Sequence, residues 1–284
     1  MADDPCRLRE SVGTDGARLT GYSHGGHLTG WWPAGHDAST LWMSPSTRCA
    51  PGVAIRGGVP VIFPQFGTLG PLRKHGFVRD VPWTPGTAGA SVTATSEAGD
   101  RRASMVAETA VGPAEGWPHQ ARLTLTATAT GATLGVRLDV GNAGPSALTF
   151  TAALHTYLAV QEPGSVIVGL GGASATNAMA GGAASTLPGE IPTSAAMDLM
   201  VRDVAERPIT IAGPSGPVVT MTARGFADRV VWNPGTGQTL PDVPPGEEAR
   251  FVCVEPAVLE PVSLDPGARW SGEMQLRSVV GAAA

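Results

Sequence analysis

In ARLTLTATAT, residues 121–130, apolar and polar residues alternate without interruption, and this pattern indicates the fold class. In an extended chain, one face carries Leu123, Leu125 and Ala127, and the other carries Thr124, Thr126 and Thr128. TLGVRLDVGNAG, residues 133–144, repeats the alternation after a two-residue break. This period of two is typical of strands that bury one face in an antiparallel sheet.

Further short runs rich in Val, Ile and Thr are bounded by turn-forming residues. They are SVTATSE (91–97), SVIVGL (165–170), PITIAG (208–213), PVVTMTA (217–223), RVVW (229–232) and RFVCVE (250–255). No amphipathic helix longer than about two turns is evident. We therefore predict an all-β protein built from antiparallel strands in packed sheets. GGASATNAMAGGAAS (171–185) is interpreted as a loop, and residues 1–284 as a single domain, because strand patterns resume after it.

The composition limits the classes of function. The 284 residues carry a net charge of -5, whereas nucleic-acid binding needs a basic face. No apolar run approaches the roughly 20 residues that span a bilayer, and the acidic start MADDPCRLRE is unlike a signal peptide. Three widely spaced cysteines, Cys6, Cys49 and Cys253, indicate free thiols in a reducing cytosol. We expect a cytoplasmic protein with no nucleic-acid or membrane partner.

LTFTAALHTYLAV, residues 148–160, is the first of two strands with chemical potential. One face reads as core: Leu148, Phe150, Ala152, Leu154, Thr156, Leu158 and Val160. The other face is smaller and more polar, and it carries His155 and Tyr157. His155 is either a hydrogen-bonded interior histidine or an acid/base group lining a pocket, and spacing leaves both open.

ARFVCVEPAV, residues 249–258, is the second such strand. Phe251, Cys253 and Glu255 share a face, and Pro256 is expected to end regular pairing there. A carboxylate on an apolar face is costly unless it is paired or functional, and burial would raise its pKa toward the range of a general base. The alternative is a solvated strand-end glutamate. Spacing does not show whether Glu255 and His155 meet.

RGGVPVIFPQFGTLGPLRKHGFVRD, residues 56–80, sets long polar side chains among many Gly and Pro residues. Prolines would stiffen this stretch, and glycines would let the backbone approach a ligand closely. Arg73 and Lys74 read as solvated loop charges. SHGGH, with His24 and His27, lacks partner cysteines or clustered carboxylates nearby in sequence, so turn or strand residues are expected rather than a metal site.

Several pieces in order along the chain carry a resemblance. They are GGHLTGWWPAG (25–35), LWMSP (41–45), the stretch 54–80, ALHTYLAV (153–160), VVWNPG (230–235), FVCVEPA (251–257) and LDPGARWSGEMQL (264–276). Over about residues 20–279, the chain resembles the glucose-6-phosphate 1-epimerase (hexose-6-phosphate mutarotase) family of the galactose mutarotase-like superfamily. The resemblance implies an antiparallel β-supersandwich and an isomerase that interconverts the α and β anomers of a hexose 6-phosphate without cofactor or metal.

The resemblance also implies roles for individual residues. His155 would be the general acid and Glu255 the general base. Arg56 and Arg79 would hold the phosphate, and the sugar pocket would be lined by Gln65, His75 and Asp198. Two guanidiniums suit a phosphate dianion, and anomerisation needs one acid and one base.

The chain departs from the family pattern at two places. Leu199 stands where the family often has Arg, and the segment after Pro234 is short, with Asp242 as its candidate aspartate. Two other functions stay open: aldose 1-epimerase activity on unphosphorylated sugars, and non-catalytic sugar-phosphate binding. The expected partner is a small hexose phosphate, and the expected state is a monomer.

Overall fold

A computed structural model describes residues 4–86, 102–114, 116–205 and 207–279. The first ten strands are β1 Arg9–Val12, β2 Arg18–Tyr22, β3 His27–Trp32, β4 Val61–Ile62, β5 Thr84–Pro85, β6 Ala103–Val111, β7 Ala121–Thr130, β8 Thr133–Asn142, β9 Leu148–Leu154 and β10 Tyr157–Ala159. The next ten are β11 Val166–Val168, β12 Ser174–Asn177, β13 Ala184–Thr186, β14 Glu190–Pro192, β15 Met197–Val201, β16 Ile209–Gly213, β17 Gly216–Arg224, β18 Asp228–Asn233, β19 Phe251–Leu264 and β20 Arg269–Ser278. Within these described ranges, three short 3-10 helices cover Val78–Asp80, Ala178–Ala180 and Glu247–Arg250.

The strands form three antiparallel sheets. A small sheet has the order β1-β2-β3. An eight-stranded sheet runs β13-β12-β15-β18-β19-β9-β4, with β10 also paired to β19. A nine-stranded sheet runs β14-β11-β16-β17-β20-β8-β7-β6-β5. The all-β antiparallel fold predicted from the alternation is confirmed.

The alternation of residues 121–130 positions β7 inside the nine-stranded sheet. This strand pairs along its whole length with β6 on one side and β8 on the other. Leu123 and Leu125 are buried, whereas Thr124 and Thr126 on the opposite face are partly exposed. The run SVTATSE lies outside the described residues.

The main hydrophobic core lies between the sheets. It joins Leu123 and Val136 of the nine-stranded sheet to Leu154 and Val254 of the eight-stranded sheet, and it includes Leu19 of the small sheet. One apolar face from each sheet therefore closes a shared interior, as in β-sandwiches.

The interpretation of residues 171–185 as a loop is wrong. This stretch contains β12 and all of β13 except Thr186, and the two strands form a hairpin around the 3-10 helix Ala178–Ala180. The hairpin extends the edge of the eight-stranded sheet, since β12 also pairs with β15. Small Ala, Gly and Ser side chains give no alternation to read, and backbone pairing at an edge does not require it.

The prediction that the cysteines are free thiols is wrong for two of them. Cys6 and Cys49, 43 residues apart, form a disulfide, while Cys253 is free and buried. The N-terminal segment reaches Cys49 because it lies against the turn after β2, where the His24 N–H donates to the carbonyl of Pro5. Such tertiary proximity has no signature in cysteine spacing.

In the part of the chain that the structure describes, helices are too short to cross a membrane.

Candidate active site

Four neighbouring strands of the eight-stranded sheet build one continuous row of side chains. Tyr157 of β10 lies opposite Cys253 of β19, which lies opposite Trp232 of β18, which in turn lies opposite Asp198 of β15. Directly opposed residues share a face of the sheet, so all four project together. Glu255 is two residues beyond Cys253 and joins this face.

The other face of the same strands belongs to the core. Val252 and Val254 are buried in the main core, as their alternation with Glu255 predicts. Leu199 is also buried there and pairs with Val231. The departure from the family pattern at Leu199 therefore affects core packing and not the face that carries Asp198.

His155 lies at a break between β9 and β10. Its N–H donates to the carbonyl of Pro60, and the N–H of Tyr157 donates to that of Gly58. The backbone around His155 is therefore hydrogen-bonded to the stretch that carries Arg56, and His155 itself lies outside the regular strands β9 and β10.

The expectation that Pro256 ends pairing is wrong on one side of β19. Pro256 lies within β19 and stays in register with Arg229 of β18. On the other side, extending the β9 register places Pro256 opposite Leu154, at the break before β10. The Leu154 carbonyl accepts a hydrogen bond from the Thr156 hydroxyl, so it does not need the donor that proline lacks.

His155 and Glu255 meet. Nδ1 of His155 lies 3.4 Å from Oε1 of Glu255, and both side chains are almost fully buried. Nδ1 of His155 and Oε2 of Glu255 make no hydrogen bond within the protein. The His155 ring stacks on Tyr157, with centroids 4.9 Å apart and planes 7° from parallel. The His155 ring is held by this stacking, and Nδ1 of His155 and Oε2 of Glu255 can each still form a hydrogen bond to a ligand.

Burial shifts both groups toward their neutral forms. It lowers the pKa of His155 well below its usual value, and the nearby His75, Arg79 and Arg56 lower it further. Burial also raises the pKa of Glu255 well above its usual value, and the carboxylate of Asp198 adds to that effect. The pair therefore retains one dissociable proton over a broad pH range, which suits acid/base chemistry near neutrality.

Arg56 is fixed by two side-chain partners. Its Nε donates to Asp242 at 3.0 Å, and its Nη1 donates to the Tyr157 hydroxyl at 2.8 Å. The guanidinium also lies 5.9 Å from the centre of the Trp232 ring. Arg56 thus joins the loop after β18 to the face that carries His155.

The guanidinium of Arg79 has an unpaired hydrogen-bond donor, unlike the two paired nitrogens of Arg56. It lies in the 3-10 helix Val78–Asp80, and its Nε is buried without a hydrogen-bond partner. Burial lowers the pKa of Arg79, the nearby Tyr157 counters this, and repulsion from Arg56 lowers it again. Two guanidiniums that repel each other beside one tyrosine favour an anion between them.

Gln65 and His75 shape the loop between Pro64 and Gly76. The Gln65 amide donates to the carbonyls of Gly67 and Leu72 and accepts from the Leu72 N–H, so it fixes the loop. His75 has a φ of 68°, and its Nδ1 accepts from Gly67 at 3.2 Å. The His75 ring lies edge-on to His155, with centroids 5.6 Å apart, and burial lowers its pKa to about 3.

Asp198 is half-buried on the same face as Glu255. Burial raises the pKa of its carboxyl group, and its N–H donates to the Asn177 side chain. Arg202 lies three residues after Leu199, and its side chain pairs with Glu260 at 3.0 Å and lies 3.8 Å from Asp228. Arg73, expected to be solvated, makes two hydrogen bonds to the buried carboxylate of Asp80.

Sequence reasoning missed three members of the site. Tyr157 holds Arg56, Trp232 packs against His155, and Cys253 lies between them in the row across the sheet. Alternation placed Tyr157 beside His155 and Cys253 beside Glu255. Which strands are neighbours, and hence that these pairs meet Trp232, is not encoded in any local pattern.

Two groups among the described residues could hold a metal ion. One is His155, Cys253 and Glu255 within the site, and the other is Cys6, His24 and Cys49. All three residues of the first group are buried.

Known proteins share this architecture and sequence pattern. A family model described as aldose 1-epimerase matches residues 11–277. A protein of Cenchrus ciliaris named "Putative glucose-6-phosphate 1-epimerase" is 29% identical over 272 residues, which cover 91% of this chain and 80% of that protein. A protein of Escherichia coli K12 with the same name is 52% identical over 62 residues, about 21% of either chain.

A solved structure extends the likeness to three dimensions. The crystal structure of a "putative mutarotase" from Salmonella typhimurium superposes with a TM-score of 0.72 at 23% identity, over 93% of this chain and 88% of that one. The shared fold and the family match over nearly the whole chain agree. The chain belongs to the aldose 1-epimerase family.

Proposed function

We propose that the protein interconverts the α and β anomers of a hexose 6-phosphate, with glucose 6-phosphate as the expected substrate. The observation that carries the proposal is the buried contact of 3.4 Å between His155 and Glu255, with two arginines nearby. The names of two relatives support the choice of substrate.

The reaction moves one proton on and one proton off the sugar. The pair's one proton is carried by His155 in this direction: His155 donates it to the ring oxygen, while the Glu255 carboxylate takes the proton of the anomeric hydroxyl. The bond between C1 and the ring oxygen breaks, which leaves an aldehyde. Rotation about C1–C2 presents the other face of the carbonyl, and ring closure uses the two residues in reversed roles. Because both oxygens are attached to C1, an acid and a base in contact can reach them together.

The phosphate would bind between Arg79 and Arg56. Arg79 offers a buried donor without a protein partner, and Arg56 is held in place by Asp242 and Tyr157. Charge-assisted hydrogen bonds to a dianion would satisfy Arg79 and relieve its repulsion with Arg56.

One observation favours a second candidate, an aldose 1-epimerase for unphosphorylated sugars. The donors of Arg56 are already engaged by Asp242 and Tyr157, so Arg56 gains less from a phosphate than an unpaired arginine would. The two candidates share their chemistry and differ only in substrate.

Polarimetry on freshly dissolved α-glucose 6-phosphate and α-glucose tests the proposal. We expect faster equilibration of the phosphosugar, and Arg79→Ala should raise its KM by roughly 10-fold or more without changing the KM for glucose. Equal kcat/KM for both sugars would favour the second candidate. Thermal stabilisation by glucose 6-phosphate without any acceleration would identify a binding protein and overturn both.

A further inference from the structure

Three chain segments meet at Cys6, His24 and Cys49, outside the site described above. One potential ligand atom from each residue lies within 4.8 Å of the others. The two cysteines are half-buried, and His24 is fully buried. Two sulfurs and an imidazole at this spacing match the donor set that zinc prefers.

The hydrogen bonding of His24 points to a ligand. Its Nε2 lies 2.8 Å from the carbonyl of Val53, and since a carbonyl only accepts, Nε2 carries the proton. Nδ1 is then a lone-pair nitrogen, and it is buried without any hydrogen-bond partner. Metal-bound histidines almost always donate their other ring N–H to an oxygen in this way, which fixes the tautomer and orientation.

The cluster does not depend on the disulfide for its assembly. The N–H of His24 donates to the Pro5 carbonyl, which holds the segment of Cys6. The N–H groups of Gly25 and Gly52 donate to the carbonyls of Val81 and Asp80, which hold the other two segments against one scaffold. The three residues should therefore stay together when the disulfide is reduced.

We propose that the reduced protein binds one Zn²⁺, or a similar thiophilic divalent ion, through Cys6, Cys49 and Nδ1 of His24. A thiol or phosphine reductant supplies two electrons, and with two protons it converts the disulfide into two thiols. The metal displaces both thiol protons on binding, and a fourth coordination position stays open to water. Disulfide and metal are alternative states of one site because each uses both sulfurs.

Cobalt titration of the full-length protein tests the proposal. The protein is reduced with a phosphine, freed of reductant without oxygen and titrated with Co²⁺, and Zn²⁺ is then added in competition. We expect thiolate-to-cobalt charge-transfer absorption at one ion per chain, and none from the oxidised protein. Cys49→Ser should abolish it, and His24→Gln should weaken binding about 10-fold or more.

Two control variants separate this site from the rest of the molecule. Cys253→Ser removes the sulfur of the other candidate cluster, and His36→Gln removes a histidine elsewhere on the chain; both should keep the absorption. Absorption that survives Cys49→Ser but disappears in Cys253→Ser would overturn the proposal, as would its absence from the reduced wild type.

Near-ultraviolet circular dichroism checks the folding of each variant. Should Cys49→Ser not fold, stabilisation of the reduced wild type by Zn²⁺ but not Mg²⁺ decides: we expect a higher Tm with Zn²⁺ only, and no difference contradicts the proposal.

Discussion

Tyr157 makes two different contacts in the candidate site, one through its ring and one through its hydroxyl group. Its ring stacks on His155, and its hydroxyl accepts from Arg56. The ring therefore packs against the proposed acid/base pair, whereas the hydroxyl holds the arginine that we propose binds phosphate.

Tyr157→Phe separates these two contributions because it removes only the hydroxyl. Loss of a hydrogen bond to a charged group corresponds to about 1.5–3 kcal/mol. We expect the KM for glucose 6-phosphate to rise roughly 10-fold while kcat changes little, measured by coupled assay or exchange NMR. An equal fall in kcat for glucose and glucose 6-phosphate would show that the hydroxyl serves the chemistry and not Arg56.

Asp198 is expected to influence the pH range over which the proposed acid/base pair of His155 and Glu255 is active. Its negative charge contributes to the raised pKa of Glu255, so Asp198→Asn should lower that pKa. The pair is active while it holds one proton, and it loses this proton as the pH rises through the Glu255 pKa. The alkaline limb of the kcat/KM profile should therefore move to lower pH in Asp198→Asn. The acid limb reports protonation of His155, so it should lie below pH 6.5 and move far less. A shift of the alkaline limb to higher pH would contradict this electrostatic account.

At the scale of elements, the turn that carries Arg56 depends on glycine. Gly58 has a φ of 60°, and a Cβ atom there would lie 2.2 Å from the carbonyl oxygen of Leu28. The N–H of Val59 donates to the same carbonyl, and the carbonyl of Gly57 contacts Nε2 of His27. The close approach ties the Arg56 stretch to β3.

Gly58→Ala should disrupt this junction. We expect it to lower the free energy of unfolding by more than about 2 kcal/mol, since backbone must shift as well as adopt a strained φ. Gly52→Ala is the matched control, because Gly52 has a φ of 74° but open space around its Cβ position. That control should cost only about 1 kcal/mol. Equal losses in urea denaturation would show that the contact with Leu28 contributes nothing.

The sequence predicted the strands that carry the site better than it predicted their neighbours. Alternation correctly placed Cys253 and Glu255 on one face of β19, and the structure buries Val252 and Val254 on the opposite face. It failed for the hairpin in residues 171–185, where small side chains hide the period. It also could not show that β10, β19, β18 and β15 lie side by side, because strand order is a long-range property.

At the scale of the molecule, we propose that the sheets form one domain. Leu123 of the nine-stranded sheet and Val254 of the eight-stranded sheet belong to one core cluster, so neither sheet buries its apolar face without the other. Unfolding should be a single transition. Tryptophan fluorescence reports on both large sheets, through Trp232 of β18 and Trp270 of β20, and far-ultraviolet circular dichroism reports on all strands. Coincident midpoints are expected in urea, and two separated transitions would contradict the proposal.

In the proposed reaction, His155 and Glu255 exchange protons with one hemiacetal, and polarimetry on α-glucose 6-phosphate measures that reaction. His155→Gln and Glu255→Gln should each lower kcat roughly 100-fold or more, while the double variant loses little beyond the worse single variant because the two groups act as a unit. His36→Gln, outside the site, should retain wild-type kcat. Near-wild-type kcat in a folded His155→Gln or Glu255→Gln variant would contradict the account.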